Sequence, residues 1–139
     1  MKIELKVPQI VSQTAKTLQN KGFSAYLVGG CVRDLLIGRR PKDWDITTNA
    51  KPEEIVEAFP KTFYENSFGT VTVVNENTDD ETLKNIEITP YRTETGYSDK
   101  RHPDKVEFGD NLEKDLERRD FTINAVAYDP TSGSIIDPF

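Results

Sequence analysis

The chain has 139 residues, 35% of them apolar and 30% charged, with a net charge of -6. That length suits one domain able to bury a core, and the acidity speaks against a protein whose whole surface binds nucleic acid. No apolar run is long enough to span a bilayer, and the start, Met1-Lys2-Ile3-Glu4-Leu5-Lys6, lacks the apolar stretch of a signal peptide.

Helical spacing of Val7, Ile10, Val11, Thr14 and Leu18 predicts a first helix over Pro8 to Lys21, stopped by Gly22. Phe23 to Val28 reads as a strand entering a tight turn at Gly29-Gly30, and Cys31 to Ile37 as a short helix closed by Gly38. Asp43 to Thr47 reads as a second strand. Pro52 stands where a first helical residue belongs, with Glu53 and Glu54 in the first turn, and that helix ends at Phe59-Pro60. Phe68 to Asn75 alternates as a strand, Glu76 to Lys84 is a hairpin loop, and Asn85 to Arg92 is the partner strand. Thr93 to Lys105 is a long polar loop and Val106 to Phe108 a short strand. Capping-box spacing of Asp110 and Glu113 predicts a helix over Asn111 to Glu117. Ile123 to Tyr128 and Gly133 to Ile136 close the chain. The expected fold is a mixed α/β (α+β) domain spanning 1–139, with a small, largely antiparallel sheet flanked by helices.

The chemistry starts from what is missing. Cys31 is the only cysteine, so no internal disulfide forms, which fits a reducing cytoplasm. With His102 the only histidine, a zinc site of the usual Cys/His type is excluded. Any metal must be held mainly by carboxylates, which favours magnesium, manganese or calcium.

In a strand, alternate side chains share a face, so Asp43 and Asp45 point one way and Trp44 and Ile46 the other. Two such carboxylates repel, and a cation between them removes that cost. The same spacing also describes a solvated strand end. Gly29-Gly30 follows a strand and opens a helix, where glycines let a bound phosphate approach backbone N–H groups. Arg33, one turn on, can add a charge-assisted bond; the alternative is a plain turn with an Arg33–Asp34 surface pair. Glu87 lies between two core-facing isoleucines, so it faces the other way. If its strand adjoins Asp43–Asp45, three carboxylates converge, which suits two magnesium ions set about 3.5–4 Å apart for in-line phosphoryl displacement. Otherwise Glu87 is an exposed strand acid. Arg118 and Arg119, adjacent after a helix, can grip a triphosphate tail, while Asp120 and Asn124 can bond a ribose or fix the loop. A salt-bridged helix end reads the same way. Arg33, Arg39, Arg40 and Lys42 form a basic cluster that a mixed surface would also show.

These elements in this order resemble the head domain of the tRNA nucleotidyltransferase and poly(A) polymerase family, class II of the DNA polymerase β superfamily. The matching residues are Gly29-Gly30-Cys31-Val32-Arg33-Asp34, Asp43-Trp44-Asp45-Ile46-Thr47, Phe68-Gly69-Thr70-Val71, Glu87 to Arg92, and Glu117 to Ala125. Tyr97 to Pro103 resembles the family's flexible loop. The resemblance implies template-independent transfer of CMP or AMP from CTP or ATP to an RNA 3′ end, with Mg2+ as cofactor. It matches Asp43 and Asp45 to the metal ligands and Glu87 to the third acid. It matches Gly29, Gly30, Arg33, Arg118, Arg119, Asp120 and Asn124 to nucleotide-binding positions, and Arg101 to the loop that repositions the primer. CCA addition, A addition, CC addition and poly(A) synthesis all share this head, and a non-catalytic nucleotide-binding module or a carboxylate metal-binding domain remains an alternative. The family's neck, body and tail domains, which select the base and hold most of the tRNA, are expected outside these residues, in a longer chain or a second one.

Overall fold

The computed structural model describes residues 2–65, 69–95, 105–108, 112, 116 and 126–136. The first helix, α1, spans Gln9–Asn20 and buries Val11, Thr14, Ala15 and Leu18, one stripe at helical spacing. Thr14 belongs in that stripe because its hydroxyl donates to the Ile10 carbonyl at 2.7 Å. Strand β1 (Ala25–Val28) follows, then α2 (Gly30–Leu36), β2 (Trp44–Thr48) and α3 (Pro52–Ala58). Glu54 accepts the Lys51 N–H at 2.9 Å, which secures the start of α3.

Strands β3 (Thr62–Glu65), β4 (Thr70–Val74) and β5 (Asn85–Pro90) form a meander. The loop between β4 and β5 holds a single 3-10 turn, Glu81–Leu83, begun by Asp80, whose carboxylate accepts the Thr82 N–H at 2.9 Å. Strands β6 (Arg92–Thr95) and β7 (Lys105–Phe108) make a separate two-stranded ribbon. Thr93 to Thr95, expected in a loop, are therefore paired. Strands β8 (Ala127–Tyr128) and β9 (Ile135–Ile136) complete a seven-stranded sheet of order β3-β4-β5-β2-β1-β8-β9. Of its pairs only β2–β5 is parallel, so the sheet is antiparallel-rich as expected.

Strand β3 was not foreseen. It is an edge strand with Phe63 62% and Tyr64 43% exposed, so no alternation of apolar and polar residues announces it. Of the helix expected over Asn111 to Glu117, the described residues are Leu112 and Leu116, both helical.

Register fixes two faces. Leu27, Ile46, Ile88 and Val71 form one cross-strand row, and all are fully buried. With Trp44, Ile86 and Val73 they meet Val11 and Leu18 of α1, Val32 of α2 and Ile55 of α3 in one core. The other face carries the row Val28, Asp45, Glu87, Thr72 and Phe63. Leu116 packs over its Val28 end with Ala127. Towards Phe63 the row opens to solvent, and Glu87 is exposed.

Candidate active site

The site forms where β1 ends beside β2. Val28 is in register with Asp45, so the turn that follows Val28 lies directly against that carboxylate. Gly29 turns the chain with φ of 80°, a left-handed conformation that side chains resist. A Cβ at Gly29 would sit 3.5 Å from Asp45 Oδ2, so its absence keeps space beside the carboxylate. A Cβ at Gly30 would meet Arg33 Nη2 at 3.2 Å, so the second glycine lets the guanidinium fold over the turn.

Arg33 Nε lies 3.4 Å from Asp34 Oδ1, with side chains 43% and 13% exposed. The pair expected as the alternative to a phosphate contact thus forms. It leaves the Arg33 side chain partly exposed on the wall of a cavity of about 580 Å³. Gly30, Asp43 and Asp45 line the same cavity. Cys31 lies beneath, its thiol donating to the Val28 carbonyl at 3.2 Å. Burial, opposed in part by the hydrogen bond to the Asp45 carbonyl, drives that thiol up to about 12. It is therefore protonated at neutral pH and serves as packing, neither nucleophile nor metal ligand.

Glu87 is in register with Asp45 across the parallel β2–β5 pair, so the condition for bringing the third acid near is met. Among the described residues, however, no three His, Cys, Asp or Glu side chains gather closely enough to hold an ion. Glu87 stands beside the aspartate pair by register without closing a ligand set. The pair supplies hard carboxylate oxygens, the donor class that suits a divalent cation.

The structure also places residues that sequence clustering left unassigned. Arg39, Arg40 and Lys42 line the same cavity. The Arg39-Arg40-Pro41-Lys42 run was the available signal, but only the turn after α2 shows which way it faces. Arg101, Arg118, Arg119, Asp120 and Asn124 lie outside the described residues, as does Phe68. Among the described residues no helix is long and apolar enough to cross a membrane.

Comparison with known proteins agrees with this fold. The CCA-adding enzyme of Geobacillus kaustophilus is 51% identical over 125 residues, covering 89% of this chain and 29% of that protein. The crystal structure of the Bacillus stearothermophilus CCA-adding enzyme in complex with CTP superposes with a TM-score of 0.77 at 41% identity, covering 94% of this chain and 29% of that one. A tRNA nucleotidyltransferase complexed with a primer tRNA and an incoming ATP analogue matches with a TM-score of 0.64 at 30% identity, covering 91% of this chain and 34% of that one. The chain thus spans about a third or less of the length of these relatives. The family model for the poly A polymerase head domain matches residues 25–139, and the chain belongs to that family.

Proposed function

We propose that residues 1–139 form the catalytic head of a cytoplasmic nucleotidyltransferase that adds CMP and AMP, from CTP and ATP, to the 3′ end of tRNA. The observation that carries this reading is one cavity lined by the Gly30 turn, Arg33, Asp43 and Asp45. It joins a phosphate-binding turn to a carboxylate pair, the two parts that phosphoryl transfer needs in contact. Relatives about half identical to this chain are CCA-adding enzymes, and similar structures hold CTP or a primer tRNA with an ATP analogue, which supports CCA addition over poly(A) synthesis. The free, buried thiol of Cys31 suits a reducing cytoplasm.

In this reading Asp43 and Asp45 hold divalent cations, best matched by Mg2+. Those ions, when bound, acidify the attacking 3′-hydroxyl and neutralise the charge on the leaving pyrophosphate. Gly29 and Gly30 let the triphosphate approach the backbone, and Arg33 neutralises one of its oxygens from a position fixed by Asp34. Glu87 adds negative charge beside Asp45. Arg118, Arg119, Asp120 and Asn124 complete the nucleotide contacts, and Arg101 guides the primer between additions. Base choice and most of the grip on tRNA belong to neck and body domains, in the same protein or in a second chain.

The test is incorporation of labelled CMP from CTP into tRNA lacking its terminal nucleotides, by the full-length or reconstituted protein. Asp43→Ala and Asp45→Ala should each lower the rate about a thousandfold, because metal-borne charge stabilisation is worth several kcal/mol. Removing divalent cations with a chelator should do the same to the wild type. Near-wild-type rates in both variants would sink the proposal.

A further inference from the structure

The cavity that holds Asp43 and Asp45 has more positive charge than the Gly30–Arg33 turn supplies. Arg33, Arg39, Arg40 and Lys42 line it against Asp34, Asp43 and Asp45. Two of those cations are engaged: Arg33 with Asp34, and Arg40 with Asp80 Oδ2 at 3.7 Å. Arg39 and Lys42 are exposed, and among the described residues neither side chain has an ion-pair partner.

The loop that carries them is held in shape. Gly38 leaves α2 with φ of 77°. The Arg39 N–H donates to the Asp34 carbonyl at 2.7 Å. Pro41, between the cations, is buried. Lys42 then leads directly into Asp43. A fixed backbone keeps both cations at the cavity, so the loop itself need not be ordered when an anion binds. An acidic chain that keeps unpaired cations beside its carboxylates has the field of an anion trap.

We propose that Arg39 and Lys42 form a second phosphate-binding element of this cavity, beyond the Gly30–Arg33 turn. The proposal rests on the transferase reading of the same cavity, and the ligand chemistry is a phosphate group. Two sources can supply it: the triphosphate of the incoming nucleotide, or the backbone of the RNA strand whose end is extended.

The experiment titrates the protein with inorganic tripolyphosphate, with CTP and magnesium, and with tRNA lacking its terminal nucleotides, each at several salt concentrations. The variants are Arg39→Gln with Lys42→Gln, and Lys16→Gln on exposed α1 as a charge control. If the element holds the triphosphate, the double variant binds tripolyphosphate and CTP about tenfold or more weakly and tRNA unchanged. If it holds RNA, tRNA binding weakens and its salt slope falls by about two, one for each cation removed. Wild-type affinity of the double variant for all three probes overturns the proposal. So does an equal loss in Lys16→Gln, or a wild type that binds none of them. A full-length or reconstituted protein that binds tripolyphosphate through Arg39 and Lys42, yet transfers no nucleotide, keeps the element and removes the transferase reading.

Discussion

Asp45 shows how much one residue depends on its neighbours. Its carboxylate is flanked by a glycine turn on β1 and by Glu87 on β5, and its carbonyl lies 4.0 Å from the buried Cys31 Sγ. The apolar floor and the charged rim are thus one atom layer apart. Asp43, Asp45, Gly29, Gly30 and Arg33 were all legible in the sequence, because strand alternation and a glycine turn are local signals. Cys31 was legible only as a lone cysteine, since its burial is a property of the packed turn. That burial has a pH signature. The thiol titrates near 9 in the unfolded chain and at about 12 in the fold. A group whose folded value is raised contributes stability that is complete below pH 9 and is lost as pH climbs towards 12. Thermal melting followed between pH 8 and 11 should therefore fall more steeply in the wild type than in Cys31→Ala. Parallel pH profiles would show that the thiol is not the cause. Iodoacetamide at pH 8 should label Cys31 only after unfolding.

At the scale of elements, β2 is the strand on which core and site meet. Trp44 and Ile46 enter the core and Asp45 the opposite face, so the packing of one side sets the aim of the other. Ile46 is fully buried, in register with Leu27 and Ile88. Ile46→Ala should cost about 2–5 kcal/mol by lost burial and an unfilled cavity, read as a lower urea midpoint. Ile46→Val should cost about 1 kcal/mol and keep catalysis, because it preserves the strand's alternation. A midpoint unchanged in Ile46→Ala would contradict the assignment of this row to the core. The alternation of β2, β4 and β5 was readable because each buries one face. Strand β3 was not, since an edge strand with exposed Phe63 and Tyr64 has no buried face to mark. Nor was the pairing at Arg92–Thr95, where a polar strand is held by a partner ten or more residues away.

For the whole molecule, the sequence specifies a small, largely antiparallel sheet flanked by helices but leaves the strand order open. The β2–β5 contact is parallel and joins residues some forty apart in sequence, so no local pattern announces it. Yet it brings Glu87 into register beside Asp45, without closing a ligand set among the described residues. The same topology predicts where the molecule is firm. Strands β1, β2 and β5 lie inside the sheet, hydrogen-bonded on both sides, and share one core with α1, α2 and α3. The β6–β7 ribbon is a two-stranded sheet of its own, and such ribbons are marginal in water unless something packs on them. Native-state amide exchange should show slow protons at Leu27, Ile46 and Ile88, opening only with global unfolding. Amides of Arg92–Thr95 and Lys105–Phe108 should exchange at least a hundredfold faster. If nucleotide and metal bind where proposed, they should slow the amides of Gly30 and Asp45 before those of the ribbon. Ribbon protection equal to that of β2 would mean that the ribbon is part of the rigid body, and its strands would then belong to the site's fixed wall.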